Sequence, residues 1–68
     1  MKMSIFINGK KEELGAAMRI SDLLKKKKIR PEVVTVELNN TIIKREEYSR
    51  TMLKDQDRVE FVYFMGGG

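Results

Sequence analysis

One short stretch of this sequence carries helical periodicity. Ile20, Leu23 and Leu24 fall on one face, Ser21 can accept a hydrogen bond from the first-turn amides as N-cap, and Asp22 suits the positive helix end. A helix is therefore expected over residues 22–28, ahead of Pro31, whose ring disfavours helical backbone in the residue before it. The other apolar segments read as strands, so the chain must close one short helix against a sheet.

The strands can be placed from their turns. Met3-Ser4-Ile5-Phe6-Ile7 is β-branched and aromatic and ends at Asn8-Gly9, the strongest two-residue hairpin signal, so residues 10–14 should pair back antiparallel. Residues 15–19 fit neither period and read as a loop. Residues 33–38 alternate, with Val34, Val36 and Leu38 on one face and Val33, Thr35 and Glu37 on the other. Asn39-Asn40 tolerates positive φ in a tight turn, and Thr41-Ile42-Ile43 follows as a short strand. Lys44-Arg45-Glu46-Glu47-Tyr48 has the look of a helical turn anchored by Tyr48. Asp55-Gln56-Asp57 is a turn before the last strand, residues 59–65, which carries three of the five aromatic residues. The order gives an α+β domain with one main helix packed across a mixed sheet, and the β-grasp roll is the commonest fold of that order.

Size and composition narrow the function. At 68 residues the chain has room for one thin core and no second domain to frame a deep cleft, so a stand-alone enzyme is not expected. With neither Cys nor His there is no disulfide, no soft-ligand zinc site and no imidazole base. No apolar run approaches the roughly 20 residues of a membrane helix, and the N-terminus lacks a signal-peptide pattern, so a cytoplasmic protein without membrane contact is expected.

The positive charge is local. Arg19, Lys25, Lys26, Lys27, Lys28 and Arg30 stand against Asp22 alone, giving +5 in a chain whose net charge is +4. Such a stretch can be a footprint for nucleic acid or for an acidic protein surface. It can equally be a solvated helix end whose lysines complement the partial negative charge there. No aromatic residue is interleaved to stack bases, so nucleic acid is not expected as a partner.

The C-terminus is the feature that folding does not require. An apolar strand runs into Gly66-Gly67-Gly68, residues that are costly to order and add no packing. Residues 1–65 thus read as one domain and 66–68 as a flexible tail. Backbone without Cβ is what a narrow passage demands, so this tail can thread into another protein's active site. A carboxylate becomes reactive once adenylated, yet Gly9-Lys10-Lys11 lacks a phosphate-cradling loop. ATP must then be handled by a partner, and the tail is substrate rather than catalyst.

These residues resemble the ThiS-type sulfur carriers of thiamine biosynthesis, relatives of ubiquitin and of the small subunit of molybdopterin synthase. The resemblance rests on Ile20-Ser21-Asp22-Leu23-Leu24, on the stretch from Val34 through Glu37-Leu38-Asn39 to Arg45, on Tyr48, on Leu53-Lys54-Asp55-Gln56-Asp57-Arg58-Val59-Glu60, and on Phe64-Met65-Gly66-Gly67-Gly68. It implies a carrier whose Gly68, preceded by Gly67, is adenylated by a ubiquitin-activating-type (ThiF-like) enzyme using ATP and magnesium. It further implies conversion to a thiocarboxylate with sulfur from a donor such as a cysteine desulfurase, and delivery to a ThiG-like thiazole synthase. The chain would bind no cofactor itself and travel as a monomer. Alternate residues of the strand leading to the tail must face outward on a sheet with one covered face, so Phe61, Phe64, Met65 and Gly66 are the expected partner-binding surface, with core packing as the other reading of Phe64 and Met65. Three turn positions depart from the family pattern: Asn40 and Gln56 stand where Gly is usual, and Lys44 where Pro often precedes the Arg. Three other readings remain: a carrier for another sulfur pathway such as that of molybdopterin, a ubiquitin-like modifier joined through Gly68 to lysine amines, and a small RNA-binding module using the lysine run.

Overall fold

A computed structural model describes residues 3–63. Five strands form one sheet in the order β2-β1-β5-β3-β4, with β1 at Met3–Ile7, β2 at Lys10–Leu14, β3 at Val34–Leu38, β4 at Thr41–Ile43 and β5 at Arg58–Tyr63. Helix α1, Ile20–Lys26, supplies Ile20, Leu23 and Leu24 to the core. They join Ile5, Leu14, Val34, Val36, Tyr48, Leu53, Val59 and Phe61 in one buried cluster. This is the expected β-grasp arrangement, one helix across a mixed sheet. Each such side chain contributes about 1.5–3 kcal/mol when fully removed from water.

Both hairpins have the anticipated tight turns. Asn8 and Gly9 have φ of 49° and 85°, Asn39 and Asn40 have 51° and 71°, and the flanking pairs Ile7↔Lys10 and Leu38↔Thr41 close two-residue loops. Asparagine is among the few side-chain-bearing residues that enter this left-handed region readily. β1 and β5 run parallel, while β3 and β5 run antiparallel from Leu38↔Val59 to Val34↔Tyr63.

The helix departs from expectation at its start. Its N-cap is Arg19, not Ser21: the Asp22 carboxylate reaches back to accept the Arg19 N–H at 3.1 Å. The first helical amides are satisfied from a distance, Ile20 N–H by the Thr51 carbonyl and Ser21 N–H by that of Tyr48, each at 3.0 Å. With those donors satisfied by the chain near Tyr48, the helix begins before Ser21, whose hydroxyl is not needed as a cap. At the other end Lys28 has φ of 60°. Its N–H donates to Lys25 O at 3.1 Å and that of Ile29 to Leu24 O at 2.9 Å. This is a Schellman closure with lysine where glycine is usual, so α1 stops at Lys26 rather than Lys28.

Smaller differences follow from local geometry. Val33 belongs to a 3₁₀ turn, Pro31–Val33, that opens with proline's fixed φ, and β3 begins one residue later than its apolar pattern suggests. A second 3₁₀ turn, Arg45–Glu47, leads to Tyr48, which is buried as expected. Gln56, between its two aspartates, has φ of 73°. Among the described residues no helix is long and apolar enough to cross a membrane.

Candidate functional site: the root of the C-terminal tail

β5 is the last described element, and its position decides how anything following it is presented. It lies between β1 and β3, and its residues alternate between exposed and buried up to Phe61. Val59 and Phe61 point into the core at 0% and 5% exposure. Arg58, Glu60 and Val62 face outward. Val62 and Tyr63 are both 48% exposed.

Phe61 is therefore corrected: it is a core residue and offers no docking surface. The reason is parity, because two residues on one strand face separated by a single position share a side of the sheet, and Val59 is fully buried. Phe64, Met65, Gly66, Gly67 and Gly68 lie outside the described residues. The exposed apolar side chains at the end of β5 are instead Val62 and Tyr63, and on β4 Ile42, level with Glu60 through Glu37, is exposed at 65%. Strand alternation could have found Val62 once Phe61 was assigned inward; nothing in the pattern of a three-residue strand marks Ile42.

Two side-chain amides fix this strand from its two sides. At the start of β5, Asn39 accepts the Arg58 N–H at 2.9 Å and donates to the Asp57 carboxylate at 3.0 Å, while its own N–H donates to Arg58 O at 2.7 Å. Further along, Asn8 N–H donates to Val59 O at 2.9 Å. The Asn8 side chain accepts the Phe61 N–H at 2.8 Å, with Nδ2 directed at the Phe61 carbonyl at 3.5 Å. β1 has turned away by this point, so the amide takes the place of the next strand residue and satisfies backbone that would otherwise be unpaired.

The turn before β5 is tied down as well. The Asp57 carboxylate accepts the Lys54 N–H at 2.8 Å, Asp55 accepts the Ser4 N–H at 2.7 Å, and Gln56 N–H donates to Ser4 O at 2.6 Å. The Asp57 carboxylate closes the turn on itself, and that of Asp55 ties the turn to β1. A shallow depression of about 300 Å³ lined by Phe6, Gly9, Arg58, Val59 and Glu60 lies where β1 and β5 meet.

A second concavity, about 260 Å³, runs between α1 and the second 3₁₀ turn. Leu24, Ile29, Pro31 and Tyr48 form its apolar part, and Ser21, Lys25, Arg45, Glu46 and Ser49 complete the lining. Of the lysine run, Lys27 is the member with an ion pair among the described residues, to Glu12 on β2 at 2.6 Å.

The sequence after β5 runs through Phe64 and Met65 into Gly66, Gly67 and Gly68, and similarity to known proteins gives the chain its context. The sequence profile of the ThiS family matches residues 4–68. The chain is 39% identical over 66 residues to the sulfur carrier protein ThiS of Bacillus subtilis, covering 91% of this chain and 96% of that one. It is 35% identical over 66 residues to a thiazole synthase of Magnetococcus marinus and 33% to one of Paramagnetospirillum magneticum; in each case 97% of this chain spans only 20% of the relative. The crystal structure of the thiamine biosynthesis protein ThiS from Geobacter metallireducens superposes with a TM-score of 0.85 at 45% identity, covering 97% of this chain and all of that one. With a whole-length sequence match and a whole-length fold match in agreement, this chain belongs to the ThiS family.

Proposed function

We propose that this protein is the sulfur carrier of a thiamine pathway, with the Gly68 carboxylate as the group that is activated and loaded. A ThiF-like enzyme holding ATP and magnesium transfers AMP to the carboxylate and releases pyrophosphate. A sulfur nucleophile then displaces AMP: sulfide leaves a thiocarboxylate at Gly68 directly, whereas the persulfide of a donor such as a cysteine desulfurase leaves an acyl disulfide, whose S–S bond a thiol must cleave, ending as a disulfide itself, to release the thiocarboxylate. That sulfur is softer and more nucleophilic than carboxylate oxygen, which suits attack on an electrophile held by a ThiG-like thiazole synthase. The domain supplies no acid, base or metal to these steps. It is a handle recognised in turn by each enzyme.

The observation carrying this reading is the likeness to the Bacillus subtilis sulfur carrier protein over 91% of this chain and 96% of that one, in a sequence whose residues 66–68 are all glycine. The two thiazole synthases that include a stretch like this chain lend support to thiazole synthase as the receiving partner. The test is intact mass after incubation with ATP, magnesium, the adenylating enzyme and a sulfur source. The full chain is expected to gain AMP and then to exchange one oxygen for sulfur, while a variant lacking Gly68 stays unchanged. Loading of the truncated variant would overturn the assignment.

A further inference from the structure

The lysine run is the sequence feature that the carrier reading leaves unused, and the groove beside it gives it a setting. The groove floor is apolar (Leu24, Ile29, Pro31, Tyr48), and its rim carries two cations, Lys25 and Arg45, against one carboxylate, Glu46. Neither Lys25 nor Arg45 forms an ion pair among the described residues. Arg30, between the two lining residues Ile29 and Pro31, is exposed. At about 260 Å³ the groove lies below the roughly 300–1,000 Å³ typical of small-molecule pockets. It has room for one or two apolar side chains of a protein segment.

Its place in the fold indicates which protein. The turn Pro31–Val33 feeds directly into Val34, which faces Tyr63 at the end of β5. β4 runs from Thr41 opposite Leu38 back to Ile43 opposite Val36, so Arg45 follows at the same end of the sheet. The groove and the point where the chain leaves β5 thus share one end of the molecule. An enzyme gripping the tail can reach both.

We propose that this groove docks an acidic segment with an apolar anchor side chain, carried by the enzyme that adenylates Gly68. The anchor fills the space over Leu24, Ile29 and Tyr48, and carboxylates beside it meet Lys25 and Arg45. Cations on a rim act mainly on the rate and salt dependence of encounter, whereas the desolvated anchor governs dissociation. This inference rests on the carrier reading.

The test is steady-state adenylation of the full chain as a function of carrier concentration at low and high salt. The pair Lys25→Glu with Arg45→Glu is expected to raise KM at least about tenfold at low salt, and less at high salt, with the maximal rate changing far less. Ser49→Trp, at an exposed position on the groove lining, fills the space without altering charge and is expected to raise KM at both salt concentrations. Lys10→Glu with Lys11→Glu on the far edge strand makes the same change in net charge and is expected to leave KM near wild type. Circular dichroism melts of all variants confirm folding. Unchanged KM in the groove variants, or an equal rise in the β2 control, overturns the proposal, as does a groove effect confined to self-association in sedimentation. Failure of the wild-type chain to be adenylated strikes the carrier reading itself and is seen before any variant is compared.

Discussion

The two hairpin turns have the same length and the same left-handed backbone, yet they hold β5 differently. Asn39 sits at the strand's start and works in the open, sharing Arg58 and Asp57 with water. Asn8 reaches Phe61, three residues further along, in a partly buried position beyond the end of β1. One turn fixes where the strand begins, and the other extends its support after its neighbour has run out. Positive φ explains why asparagine is allowed at both places; the amide explains what it does there.

Replacing each by glycine separates the two roles, since glycine keeps the turn and removes the amide. Asn8→Gly should cost about 2 kcal/mol, because it leaves the partly buried Phe61 N–H without its acceptor. Asn39→Gly should cost about 0.5–1 kcal/mol, as water can replace exposed bonds. Denaturant midpoints would show the order, and equal losses would mean that the clamp beyond β1 carries no special weight. Amide exchange should also quicken at Phe61 in the first variant and at Arg58 in the second.

The next effect has the opposite sign. Lys28 and Gln56 have the same left-handed backbone, at φ of 60° and 73°, without asparagine's aptitude for it. Lys28→Gly and Gln56→Gly should each raise stability by about 0.5–1 kcal/mol, the relief of Cβ strain less the added entropy of the unfolded chain. A fall in melting temperature for either would show that its side chain, like those of the asparagines, does more than occupy the turn.

The smallest effect is expected at the contact that looks most like a clamp on inspection. Lys27 and Glu12 meet at 2.6 Å with side chains about a third exposed. Glu12→Gln should cost no more than about 0.5 kcal/mol and less in high salt. A loss as large as that of Asn8→Gly would place electrostatics on a par with strand clamping.

These contrasts also mark how far the sequence was legible. Both hairpins, the apolar stripe of α1 and the anchor Tyr48 are set by neighbours within a few residues, and local pattern is enough to read them. Local pattern puts the helix start too late, because its first amides are satisfied by Tyr48 and Thr51, some thirty residues away. The same holds for the clamps: Asn8 and Phe61 are separated by 53 positions, so the residues announce a turn and say nothing of its reach. Phe61 reads as docking surface from the sequence because strand alternation gives two faces without saying which one meets the helix. Glycines at the terminus could be read as chemistry since no packing explanation competes with them, whereas the groove beside Lys25 exists only once two distant turns are brought together.

The central place of β5 has a mechanical consequence. Force applied at the C-terminal end of this strand runs along its axis and loads the hydrogen bonds to β1 and β3 in shear, together, rather than peeling them off singly. Were the protein held by its C-terminal end, the load would reach the five pairs to β3 and the two to β1 before it reached the edge strands β2 and β4.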